Sequence, residues 1–159
     1  MLTPEPQAFA STQNGSRGMS HTRGPLLVSA AVIHRGTEIL IGQRRRGDRH
    51  SLKWEFPGGK VEAGETPKEA LVRELREELA IESTIGEEIA RYRHDYPNGS
   101  SVVLLFFAVS EYEGEPAGQV FEQIQWVERT MLTGMDFLDG DLDFVQRLAR
   151  GEFDSRLMD

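Results

Sequence analysis

Three glutamates, Glu74, Glu77 and Glu78, crowd into the segment "GGKVEAGETPKEALVRELREELAI". If the segment is helical, their i, i+3, i+4 spacing makes them neighbours on one face. Like charges so placed repel by roughly a few tenths of a kcal/mol per pair. They also sit in the C-terminal half, where the helix dipole disfavours anions. The ordinary explanation is a solvated face, supported by i, i+4 pairs of Glu69 with Arg73 and Arg73 with Glu77. A divalent cation would relieve both penalties. Carboxylate oxygens suit Mg²⁺ or Mn²⁺, and substrate phosphates commonly complete a magnesium shell. The chemistry this pattern could do is metal-assisted work on a phosphate chain. The chain has no cysteine, so a thiolate site is excluded and the ligands must be oxygens or the four histidines.

The flanking residues must position these carboxylates. Gly58-Gly59 permits close backbone approach to a ligand, and a carbonyl there could join the metal shell; an ordinary tight turn explains the pair equally well. Lys60 could reach a phosphate or could simply be solvated. Thr66 suits an N-cap, Pro67 the first helical position, and Glu69 completes a capping box. Leu71, Leu75 and Leu79 form the stripe the helix buries, on a different face from the glutamates. The strongest helix signal therefore runs from Thr66 to Leu79.

Around this helix the pattern is that of a mixed α/β domain. "LLVSAAVIHRGTEILIGQRR" reads as a hairpin turning at Arg35-Gly36. "RGDRHSLKWEFPGGK" reads as a polar loop. "STIGEEIARYRHDY" and "SVVLLFFAVSEYEG" read as two strands joined at Pro97-Asn98-Gly99, and "FEQIQWVE" as another. "DLDFVQRLAR" has helical spacing and closes the domain. Residues 1–24, rich in Ser, Thr, Gly, Pro and Gln, read as a flexible arm, and residues 25–159 as a single domain.

The chain of 159 residues has a formal net charge of −8. That balance argues against gripping a nucleic-acid polymer along a basic face. It allows a small phosphate ligand whose charge a metal screens. No apolar run is long enough to span a bilayer and no signal-peptide pattern opens the chain, which together read as cytoplasmic.

Gly59, five residues, Glu65, seven residues and "RELREELAI" from Arg73 to Ile81 resemble the Nudix box, G-x5-E-x7-R-E-U-x-E-E-x-G-U, where U is a bulky aliphatic residue. One defined position departs: the final glycine, which ends the helix in the family, is Ala80. "WEFPGGKVEAGET", Arg44 ahead of Trp54, and "EGEP" at Glu113 to Pro116 extend the resemblance to MutT-like nucleoside triphosphate pyrophosphohydrolases, over roughly Leu26 to Gly151.

The resemblance implies a Nudix-type α/β/α sandwich with a mixed sheet. It implies a hydrolase that converts a (deoxy)nucleoside triphosphate, an oxidised or cytosine nucleotide among them, to a monophosphate and pyrophosphate. It implies that Glu74, Glu77, Glu78 and the Gly58 carbonyl bind Mg²⁺, that Arg73 and Glu65 brace the loop–helix unit, and that Lys60 meets a phosphate. Glu122 is the candidate general base, with an exposed strand-edge glutamate as its plain alternative. Arg44 and Phe56 match positions that line the base pocket. Asp141 matches a base-reading position, and capping of the last helix is its alternative role. The implied partner is a small nucleotide, with the protein a monomer or homodimer. Two other functions stay open: a nucleotide-sugar or ADP-ribose pyrophosphatase, and a non-catalytic nucleotide sensor.

Overall fold

The computed structural model describes residues 24–157, so the arm expected over residues 1–24 lies outside the described residues apart from Gly24. The hairpin forms as the sequence indicates. Strand β1 (Leu26–Arg35) and β2 (Glu38–Gln43) pair antiparallel around Gly36, whose φ of 60° is left-handed and suits glycine. The expected polar loop is more ordered than its composition suggests. It contains β3 (Trp54–Glu55), which pairs with β2, and β4 (Gly58–Lys60), which pairs with β1.

The main helix, α1, spans Pro67–Leu79. Its capping box is formed in full: the Glu69 amide donates to the Thr66 hydroxyl at 3.1 Å, and the Thr66 amide donates to the Glu69 carboxylate at 2.9 Å. Both strands expected after α1 divide. The first becomes β5 (Glu82–Thr84) and β6 (Glu88–Asp95), and the second becomes β7 (Ser101–Val109) and β8 (Glu111–Glu113). The break falls at Gly86, whose amide donates to the Ala108 carbonyl at 2.8 Å; a Cβ there would crowd that same oxygen. Beyond the break, β5 and β8 leave the main sheet and pair with each other.

Strand β9 (Gln123–Glu128) pairs with β2. A 3-10 turn at Arg129–Gly134 and the short helical turn Asp139–Asp141 then lead to α2 (Leu142–Ala149) and a brief α3 (Asp154–Leu157) that periodicity did not reveal. In the seven-stranded sheet the central path is β3, β2, β1, β7, β6, and β1 and β7 run parallel.

Alternation along β1 splits the core in two. Ala31 and Ile33 face α1 and its fully buried Leu71, Leu75 and Leu79, with Leu105 and Phe107 of β7. Ala30 and Val32 face the other layer, where α2 supplies Phe144, Val145 and Leu148. Helices thus cover both faces of a mixed sheet, the expected α/β/α sandwich. Each buried leucine on α1 contributes about 1.5–3 kcal/mol through area removed from water, which fixes the helix and the orientation of its opposite face. Among the described residues, no helix is long and apolar enough to cross a membrane.

Candidate active site

The site is built where β4 meets α1. Backbone leaves no room for a side chain at Gly58, whereas at Gly59 only the movable Glu74 carboxylate stands in the way. A Cβ on Gly58 would overlap the Ser29 carbonyl of β1, and one on Gly59 would overlap the Glu74 carboxylate. The Gly58 amide donates to Glu78 Oε1 at 3.1 Å, pinning that side chain against the loop. Ser29, fully buried, donates its hydroxyl to the Pro67 carbonyl at 2.9 Å and ties β1 to the first turn of α1.

Arg73 braces the loop–helix unit. Its guanidinium grips Glu65 in two places, at 2.7 and 2.9 Å, donates to the Lys60 carbonyl at 3.1 Å and reaches Glu74 at 3.1 Å. Such a two-point grip is geometrically specific and strengthens each hydrogen bond. It pulls the Glu65 carboxyl down from an ordinary 4.5 to about 2, with the Glu62 amide assisting.

Glu74 and Glu78 are less comfortable. Burial raises the pKa of Glu74 against the opposing pull of Arg73. Burial, with Glu55 and Glu74 close by, holds Glu78 well above the usual carboxylate range. The charge of Glu74 helps to raise Glu78. A cation beside them would favour the ionised form of both, so the donor set fits a hard divalent metal. Glu77 stands apart. It is 59% exposed and pairs with Arg73 at 3.6 Å. Among the described residues, no group of three His, Cys, Asp or Glu side chains is gathered to hold a metal as it stands. Glu77 would join the other two only by swinging inward.

A cavity of about 380 Å³ opens from this corner, within the usual size range for a small-ligand site. Gly58, Gly59, Lys60 and Glu78 are among its lining residues. Arg44, Glu55, Phe56 and Asp141 also line it. Phe56 is only 5% exposed and packs against Phe106 and Phe144 edge-on, and against Phe137 in a stack with centroids 5.3 Å apart. Its ring serves the core and the cavity wall together. Arg44 is held at 3.4 Å from Glu55 and donates its Nε to the Arg49 carbonyl.

Asp141 is 7% exposed and makes no capping hydrogen bond to α2, so helix capping is not what holds it there. Burial, reinforced by the charge of Glu55, pushes its carboxyl up to about 8. At neutral pH it therefore carries a proton and both donates and accepts, where an ionised aspartate only accepts.

Most of the sequence candidates thus come together: Gly58, Lys60, Glu78, Arg44, Phe56 and Asp141 line one cavity, and Arg73, Glu65 and Glu74 stand behind it. Glu122 does not join them. Its carboxylate accepts from the Arg46 amide at 3.2 Å, outside the cavity lining. Sequence reasoning missed Glu55. It lies in the quoted "WEFPGG" segment, its side chain 22% exposed, and burial raises its pKa against the pull of Arg44. A single carboxylate in a two-residue strand carries no periodic signal. A larger and more open cleft of about 1120 Å³ lies at the far end of β1, around Arg35, Glu87 and Arg156, and holds none of these residues.

Two carboxylates that a cation would relieve, beside a cavity with an aromatic wall, suit a metal-assisted site for a small ligand. The NUDIX domain model matches residues 25–148, and the chain belongs to the Nudix family of hydrolases. It is 38% identical over 122 residues to the 8-oxo-dGTP diphosphatase of Haemophilus influenzae, covering 76% of this chain and 89% of that one. It is 39% identical over 99 residues to the CTP pyrophosphohydrolase of Escherichia coli, covering 62% and 73%. The solution structure of the E. coli ORF135 protein superposes with a TM-score of 0.74 at 31% identity, over 87% of this chain and 98% of that one. The protein is accordingly an enzyme that hydrolyses pyrophosphate bonds in nucleotides.

Proposed function

We propose that the protein hydrolyses a (deoxy)nucleoside triphosphate, with an oxidised guanine or a cytosine as its base, to the monophosphate and pyrophosphate. The observation that carries this reading is the cavity itself. Gly58, Gly59, Lys60 and Glu78 line the same space of about 380 Å³ as Arg44, Phe56 and Asp141. A relative named 8-oxo-dGTP diphosphatase and another named CTP pyrophosphohydrolase support the two base classes.

Glu74, Glu77, Glu78 and the Gly58 carbonyl would hold Mg²⁺, which, when bound, neutralises phosphate charge and makes a water more acidic. The remaining work belongs to the chain. Lys60 draws the phosphates toward the glycine loop. Arg73 keeps the loop and α1 at a constant separation through Glu65 and the Lys60 carbonyl. Water attacks a phosphorus, a new P–O bond forms, and the bridging P–O bond breaks as pyrophosphate leaves with its electron pair. The water's proton passes to a carboxylate. Of those named, Glu55 and Glu78 line the cavity, whereas Glu122 serves only if its loop moves inward. For the base, the neutral Asp141 carboxyl meets an edge bearing an N–H beside an acceptor, and Arg44 donates to a carbonyl.

Phosphate release, measured with Mg²⁺ across a panel of nucleotides, nucleotide sugars and ADP-ribose, tests the reading. Turnover confined to triphosphates supports it. Preference for ADP-ribose or a sugar nucleotide, or binding without turnover, would replace it.

A further inference from the structure

The last turn of a helix leaves four carbonyls without partners inside it. In α1 they belong to Arg76, Glu77, Glu78 and Leu79. The Ala80 amide takes one, donating to the Arg76 carbonyl at 3.1 Å. The other three accept from the loop between β8 and β9. The Ala117 amide donates to Leu79 at 2.9 Å, the Gln119 amide to Glu78 at 3.1 Å, and Gln119 Nε2 to Glu77 at 3.2 Å. The backbone of two of the three crowded glutamates is thus held from outside the helix.

Arg45, just past the end of β2, holds that loop in turn. Its Nη2 donates to the Gln119 carbonyl at 2.9 Å and its Nε to the Val120 carbonyl at 3.1 Å. The planar guanidinium makes this two-point grip possible, and its charge strengthens each hydrogen bond. Beyond Val120 the chain is anchored differently: Phe121 is buried in the same core layer as Leu75 and Leu79, and the Glu122 amide donates to the Gln43 carbonyl at 2.8 Å. Arg45 is exposed and lies outside the cavity lining, so whatever it does for the site passes through the loop.

We propose that Arg45 is a positioning residue for the metal-binding glutamates: its grip on Gln119 and Val120 sets the loop, and the loop sets the backbone of Glu77 and Glu78. This rests on the reading of those glutamates as Mg²⁺ ligands. Linkage then works in both directions. If the docked loop favours metal binding, bound metal favours the docked loop by the same factor.

Amide hydrogen exchange and calorimetric titration with Mg²⁺, on the unmodified protein and on Arg45→Ala, test the assignment. In the unmodified protein Mg²⁺ should slow exchange at Ala117 and Gln119 about fivefold, the low end of ordinary coupling between sites. Without metal, Arg45→Ala should exchange about tenfold faster at both amides, the loss of hydrogen bonds from a charged group. The Leu75 amide, in the middle of α1, should keep its rate. The same variant should bind Mg²⁺ about two- to fivefold more weakly, the coupling factor being the ceiling. Arg76→Ala removes another exposed guanidinium, one that α1 itself carries and that pairs with Glu82; it should leave Mg²⁺ affinity and both loop amides unchanged. Loop amides indifferent to bound Mg²⁺ or to Arg45→Ala, unchanged Mg²⁺ affinity in Arg45→Ala, or an equal loss in Arg76→Ala each overturns the positioning role. Matching acceleration at Leu75 does so too, because Arg45 would then be a general stabiliser. If the unmodified protein binds no Mg²⁺, the metal reading itself fails, and Arg45 falls with it.

Discussion

Ala80 occupies the position at which the Nudix box has glycine, and it closes α1 with φ 61° and ψ 34°. Left-handed backbone costs a non-glycine residue roughly 1–2 kcal/mol. Ala80→Gly removes that strain but adds conformational freedom to the unfolded chain, which returns about 0.4–1 kcal/mol. Ala80 is exposed, so its methyl group contributes little burial, and its amide bond to the Arg76 carbonyl at 3.1 Å survives the change. The net gain should be about 0.5–1 kcal/mol. In a domain of this size that is about 1–4 °C in melting temperature. Differential scanning calorimetry without metal measures it. A fall of several degrees would show that this residue continues the helix in solution, since a glycine inside a helix costs up to about 1 kcal/mol. Because α1 carries Glu77 and Glu78 just before this cap, an unchanged Mg²⁺ affinity in the same variant would show that the cap sets stability alone.

Glu77→Gln should abolish nearly all hydrolysis while changing stability by less than about 0.5 kcal/mol, since relieved repulsion offsets one exposed pair with Arg73; near-normal turnover at saturating Mg²⁺ would remove Glu77 from the metal site. Asp141 has a folded value of about 8 against an ordinary 3.8, so the stability it allows is complete below 3.8 and is lost as pH rises through 8. Asp141→Asn escapes that loss, and its melting temperature should gain on the unmodified protein steadily between those two pH values; a constant difference would contradict the burial argument. For Glu65 the sign reverses: its value of about 2 lies below 4.5, so its stabilisation is present above 4.5 and vanishes as pH falls toward 2. Glu65→Gln should accordingly melt below the unmodified protein at neutral pH, with the gap closing across that acid window. Arg73→Lys keeps the charge but loses the two-point grip on Glu65, so Mg²⁺ affinity and melting temperature should both fall; a variant unchanged in both would show that the brace is dispensable.

Local chemistry alone announced α1. Thr66, Pro67 and Glu69 act on backbone groups within one turn, and Leu71, Leu75 and Leu79 repeat at the helical period, so neither signal needed distant contacts. The crowding of Glu74, Glu77 and Glu78 was legible for the same reason, because helical spacing turns sequence separation into distance. The β1–β2 hairpin was equally local. What tertiary structure alone decided lies between elements remote in sequence. It turned Glu77 outward while burying Glu78 against Gly58. It broke the strands at Gly86, where two distant segments meet. It brought Glu55 and Asp141, far apart in the chain, near enough for one charge to raise the other's pKa. It joined Arg45 to Gln119 and Val120, far along the chain. Burial and electrostatic coupling depend on what surrounds a group in space, and the residue's own type and neighbours in the chain do not contain that information.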